Sequence, residues 1–302
     1  MTPAPGLVVE ADPQLAEVIR GLARQRMVFF AGLPGTGKSL LVHQLTHLAA
    51  SAGRSVHLLQ WDVARPAFEA SAAGRRYPLA DGVTHPVIRK AAGLWARRAV
   101  VDWVERYTDP RHLLIGETPF VGNRFVELAR RVDDAAEALL TGLSCRFVIA
   151  VPSREVRRFL EAERERRAAS PLHPREREDA PPHVLRALWR DLHDVATGLG
   201  IATSEPDRAG GRGQSAGANG PPYDPAVYQR VYETVLRHRH VQALALSTIL
   251  PTETLSVYDF AVAPPDLAPT EAEADELIRD VERRYPDAAT LQREIARWHD
   301  SP

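Results

Sequence analysis

Cysteine, lysine, leader-like segments and an excess of either charge are all scarce or missing here, and each scarcity excludes something. Cys145 is the single cysteine among 302 residues, so no internal disulfide can form. A reducing, cytoplasmic location is the expectation. The opening stretch "MTPAPGLVVEADPQ" lacks the basic-then-apolar profile of a secretory leader. No apolar run approaches the length that crosses a bilayer, and no membrane partner is expected. The formal net charge is -1. That removes the global basic footprint of a protein that grips long nucleic acid through its phosphates, and leaves a local basic groove open. Of the 38 Lys+Arg residues only Lys38 and Lys90 are lysine, in a chain rich in Ala, Pro and Gly, as a GC-rich genome would encode. A rare lysine at position 38 is informative, because a compact ammonium reaches into a tight anion cradle where the broad guanidinium fork does not fit.

What is present is an alternation. Short apolar runs at 27–31, 55–61, 112–116, 145–151 and 241–249 read as buried parallel strands. Between them lie helical segments at 38–52, 86–107, 123–141, 154–168, 183–199 and 225–239, with a further helix before the first strand and one or two over 270–298. This order predicts an α/β fold with a five-stranded, mainly parallel sheet covered on both faces. A single domain over 1–302 is expected, with a helical lid region at 153–200, a flexible Gly/Ser/Ala/Pro-rich insertion at 204–224 and a C-terminal helical segment at 266–302. Residues 169–183, charged and proline-rich, read as an irregular join between two helices.

"GLPGTGKS", Gly32 to Ser39, fits G-x-x-x-x-G-K-[ST] with a strand directly before it and a helix directly after it. Glycines let the backbone curl so that N–H groups point inward, and the helix N-terminus adds partial positive charge there. Gly32, Pro34, Gly35, Thr36, Gly37, Lys38, Ser39 and Leu40 are therefore the expected binding residues for ATP. Lys38 is aimed at the outer phosphates and the Ser39 hydroxyl at Mg²⁺. The guanine-reading Asn/Thr-Lys-x-Asp of GTPases is missing, as are an ABC-type "LSGGQ" and an apolar run ending in paired Asp-Glu. Glu117, after the third strand, lies where such a strand delivers its C-terminal end to the active edge. It is a candidate to hold the metal through water or to orient an acceptor.

After the second strand, "QWDVARPAF" places Asp62 and Arg65 at the same edge, on one short turn. A carboxylate there can take or orient a hydroxyl proton, and a cation can hold an anionic acceptor. With these motifs the chain resembles the P-loop kinase superfamily, and within it zeta-toxin-like and polynucleotide-kinase-like phosphotransferases. The resemblance covers the strand-helix order and three short motifs. It implies a three-layer P-loop NTPase-type fold, with the family's catalytic aspartate at Asp62 and its acceptor-binding arginine at Arg65. Where such kinases often carry Glu-Gly-Thr, this chain has Gly116-Glu117-Thr118. The resemblance also implies phosphate-facing lid arginines, for which Arg164 and Arg167 are the candidates, and a base-packing role for 250–257.

His43 and His47, four apart on one helix, lack a third ligand and read as ordinary helix residues. "RHRH" at 237–240 reads as cations at a helix end. Trp95 and Trp103 read as core. The expected activity is transfer of the γ-phosphoryl of ATP, with Mg²⁺, to a hydroxyl on a small-molecule or nucleotide-like acceptor. A kinase of nucleic-acid 5′ ends or of nucleotide sugars, and an ATP-hydrolysing switch of the AAA type without an acceptor, are the alternatives.

Overall fold

The computed structural model describes residues 7–80, 82–202, 220–259 and 262–300. Five strands, β1 (Met27–Ala31), β2 (Ser55–Gln60), β3 (His112–Thr118), β4 (Cys145–Pro152) and β5 (Val241–Leu246), form one open sheet in the order β2-β3-β1-β4-β5. Every neighbouring pair is parallel. The first strand is thus central, and β2 and β5 are the edges. The fold is α/β with an all-parallel five-stranded sheet. β5 stops at Leu246, three residues short of the apolar run read from the sequence, and only Leu244 and Leu246 of its side chains are buried.

Side chains alternate along each strand as a pleated backbone requires. Val28 and Phe30 point to one face, where they meet α1 (Pro13–Leu22) and α2 (Lys38–Ser51). Met27, Phe29 and Ala31 point to the other, beneath α3 (Trp61–Ala70), α4 (Pro86–Arg106) and α8 (Pro225–Val235). Phe29 stacks on Phe147 of β4 at 4.9 Å between ring centres. Burying each such ring contributes about 1.5–3 kcal/mol. Trp95 and Trp103 lie in this second core, as their helical spacing indicated. α9 (Glu271–Arg284) and α10 (Ala288–Ala296) close the chain against α4.

The single helix read over 123–141 is instead a 3-10 turn at Val126–Leu128 and the short α5 (Ala135–Leu140), capped by the Asp134 side chain. Positive φ angles at Asn123 and Phe125 break any helix there. α6 (Arg154–Ala169) and α7 (Pro182–Gly198) flank the irregular segment, which itself holds a 3-10 turn at Pro174–Glu178. Most of the insertion at 204–224 lies outside the described residues. In "RHRH", Arg239 is 8% exposed and donates to the Leu128 carbonyl and to Glu137, so it is a buried strut rather than a dipole-favoured surface cation. Lys90 is also buried, its Nζ 2.5 Å from Glu294 and 3.1 Å from Glu127. No helix among the described residues is long and apolar enough to cross a membrane.

Candidate active site at the carboxyl edge of the sheet

The connections that leave β1 and β3 lie on opposite faces of the sheet, which opens a crevice at the strands' carboxyl ends, the usual place for ligands in open α/β sheets. The turn Gly32–Ser39 fills that position. Gly37 has a φ of 84° and serves as the N-cap of α2 without a side chain, so nothing of its own covers the first-turn N–H groups of a 14-residue helix. Gly32 is needed for a different reason. A Cβ there would sit 2.2 Å from the Tyr228 hydroxyl, which accepts a hydrogen bond from the Leu33 N–H at 3.2 Å.

Lys38 opens α2 and is 3% exposed. Its Nζ donates to the Leu33 carbonyl at 2.9 Å and lies 3.7 Å from Glu117 Oε1. Thr36 Oγ1 donates to the same carbonyl at 2.8 Å. Ser39 Oγ donates to Glu117 Oε1 at 3.1 Å. Leu40 follows in the first turn of α2, its side chain packed on the α1–α2 core. Glu117 is part of β3 rather than past its end, paired in register with Phe30 of β1 and Gln60 of β2. Burial pushes its carboxyl upward in pKa, the Lys38 cation pulls it down, and the charge of Asp62 pushes it up again. Burial depresses Lys38, against the attraction of Glu117 and Asp62. Lys38, Ser39, Glu117 and Asp62 therefore act on one another.

Asp62 and Arg65 stand in the first turns of α3, which starts without a break after β2, so the D-x-x-R pair shares one helix face. Pro66 has no N–H to offer the Asp62 carbonyl, which loosens the helix at this residue. The Asp62 side chain is exposed. Arg65 lies 3.4 Å from Glu69, one turn on, and its Nε is buried without a partner.

The two lid candidates sit differently. Arg164 pairs with Asp179 and lies within electrostatic reach of Glu117. Arg167 donates to Glu176, to the Leu255 carbonyl at 2.9 Å and to the Thr252 carbonyl at 2.6 Å. It ties α6 to the 252–255 segment, and its N–H groups are committed there. The arginine that touches the glycine-rich turn is Arg157, in the first turns of α6. It donates to the Gly35 carbonyl at 3.1 Å and to the Leu185 carbonyl at 3.3 Å, and pairs with Glu161 at 2.8 Å. Sequence reasoning passed over it in favour of arginines further along the helix. No local signal singles it out, since its place beside the turn follows from the pairing of β4 with β1. Tyr228 was likewise missed, since it reaches the turn from a segment 195 residues away.

Ser39 and Glu117 fit a divalent cation that keeps most of its ligands from phosphate and water, as Mg²⁺ does. No cluster of three or more His, Cys, Asp or Glu ligands occurs among the described residues. His43 and His47 are buried ring neighbours at 4.6 Å. A groove of about 620 Å³ lies apart from the sheet edge, lined by Tyr77, His85, Glu282, Tyr285 and Gln292 among others. Its one acid, Glu282, is occupied by the Tyr77 hydroxyl and Arg76, so the groove offers no reactive constellation. No family model matches the chain, and no curated protein or solved structure matches it.

Proposed function

We propose that the chain is an ATP-dependent phosphotransferase of the P-loop kinase type, passing the γ-phosphoryl group of ATP to a hydroxyl of a small-molecule or nucleotide-like acceptor. One observation carries this reading. A lysine, a serine and a carboxylate converge on a glycine-rich turn, and a separate Asp-Arg pair stands beside them on α3. The first set suits a triphosphate with its cation, and the second suits an acceptor. Ser39, and Glu117 through water, would hold Mg²⁺, which would supply neutralisation of the phosphate charge.

Asp62 takes or orients the acceptor's proton as its oxygen forms the new P–O bond, and the bond between the β,γ-bridging oxygen and the γ-phosphorus breaks, releasing ADP. Lys38 stabilises the charge that moves to the leaving oxygen. Arg164 is placed to add to this from the lid side, while Arg157 holds the turn's carbonyls and so keeps its N–H groups facing inward. The acidic-basic pair on α3 also favours transfer over an ATP-hydrolysing switch, for which Asp62 and Arg65 have no task.

The test is a transfer screen with γ-labelled ATP against pooled metabolites, nucleotide sugars and 5′-hydroxyl oligonucleotides, run beside the acceptor-free hydrolysis rate. Label appearing in one acceptor, lost in Asp62→Asn, supports the reading. Brisk hydrolysis with no labelled acceptor in any pool overturns it in favour of the switch.

A further inference from the structure

The segment between β3 and the Val126–Leu128 turn holds its backbone in an uncommon shape. Phe120, Asn123 and Phe125 have φ angles of 57°, 63° and 63°, and none is glycine. A left-handed residue other than glycine is costly and persists only where surroundings over-determine it. Here they do. Phe120 and Arg124 exchange backbone hydrogen bonds of 2.9 and 3.2 Å, and the Phe120 and Phe125 rings are fully buried. Tyr232 donates to the Pro119 carbonyl at 2.9 Å, and Arg89 to the Gly122 carbonyl at 2.9 Å. The Phe125 ring meets Trp61, the residue before Asp62, at 5.4 Å. Arg124, between Asn123 and Phe125 on this turn, lies within electrostatic reach of Asp62 and Arg65 of α3.

Arg124 differs from the other enclosed arginines. Arg97, Arg157 and Arg239 are each saturated by carbonyls and carboxylates. The half-buried Arg124 has no ion pair or side-chain hydrogen bond among the described residues. Of the charges around it, Asp62 attracts it and Arg65 and Arg89 repel it. Arg89 is already committed to the Thr84 and Gly122 carbonyls, whereas Arg65 pairs with Glu69 at 3.4 Å through one nitrogen and keeps an unpartnered Nε. Three arginines against Asp62 and Glu69 leave a positive residue of charge, and two of the forks are unsaturated. Half-buried cations with uncommitted N–H groups are stabilised by an incoming anion, and a planar fork suits a planar or tetrahedral oxyanion.

We propose that Arg124 and Arg65 together form an oxyanion clamp beside Asp62, so that the acceptor is an alcohol carrying its own phosphate or carboxylate group. The inference rests on the phosphotransferase reading and sharpens its substrate class. The strained turn fixes Arg124, and the clamp in turn sets the acceptor hydroxyl against Asp62.

The experiment is calorimetric titration of inorganic phosphate, and separately of acetate, into the full chain saturated with Mg²⁺ and a non-hydrolysable ATP analogue, so that the glycine-rich turn is already filled. We expect one further anion site, weakened about tenfold or more in Arg124→Gln and in Arg65→Gln, with Arg124→Lys intermediate and melting temperatures preserved. Preference for phosphate assigns a phosphomonoester acceptor, and preference for acetate a hydroxy acid. Failure of both anions to bind the analogue-loaded protein overturns the clamp, as does unchanged affinity in Arg124→Gln or in Arg124→Lys. Failure of the ATP analogue itself to bind would instead remove the phosphotransferase reading on which the clamp rests.

Discussion

Replacing Asp62 by asparagine separates chemistry from folding, because the two effects differ by orders of magnitude. Asp62 is exposed in the first turn of α3, and no ion pair joins it among the described residues. Its structural contribution is therefore limited to a carboxylate near a helix N-terminus, about 1 kcal/mol at most. For a chain of this size that moves the melting temperature by only ~2–4 °C. A positioned general base contributes 10²–10⁴-fold, which is about 2.7–5.4 kcal/mol of barrier. Asp62→Asn should thus lose at least about a hundredfold in transfer to the acceptor at saturating ATP, with ATP affinity nearly unchanged by calorimetry. A second signature follows from the site's electrostatics. The charge of Asp62 raises the Glu117 carboxyl, so removing it lets Glu117 ionise at lower pH. The acid limb of the residual activity should shift downward. Transfer at the wild-type rate, with the acid limb unmoved, would refute both the base and the coupling, and Glu117→Gln would become the variant to make.

Lys38→Ala should abolish transfer and weaken ATP binding, since the ammonium meets charge on the transferred group; full retained activity in the labelled-ATP assay would remove the phosphate-cradle reading. Tyr228→Phe deletes the hydroxyl that accepts from the Leu33 N–H in the fully buried base of the turn. It should cost about 1–3 kcal/mol in denaturant unfolding and raise the KM for ATP, and an unchanged unfolding midpoint would show that the N–H finds another partner. His43 and His57 are both held down to about 4, mainly by burial and secondarily by a neighbouring histidine. Their folded forms bind fewer protons than the unfolded chain between that value and the ordinary 6.5, so stability should be full above about pH 6.5 and fall as pH drops toward 4. Thermal melts across that window check it, and His57→Gln should flatten part of the slope.

The sequence alone determined what depends on neighbouring residues. Periodicity placed five strands and most helices, because buried parallel strands are continuous apolar runs and the helices between them keep a 3.6-residue repeat. The glycine-rich turn was legible for the same local reason: its glycines, Lys38 and Ser39 lie within eight residues, and the backbone shape follows from that spacing. The position of Asp62 and Arg65 after β2, at the carboxyl end of that strand, was legible as well. The tertiary structure decided what depends on parts far apart in the chain. Which arginine touches the turn could not be read from a helix carrying many of them, since Arg157 is selected by the pairing of β4 with β1. Arg167 resembles it in sequence and is instead tied to carbonyls some 85 residues away. Tyr228 meets Leu33 across 195 residues, and no local pattern records that contact. The segment 123–141 carries helix-compatible residues, yet long-range contacts from Tyr232 to Pro119 and from Arg89 to Gly122 hold the chain leading into it, and left-handed backbone at Asn123 and Phe125 overrides the local propensity there.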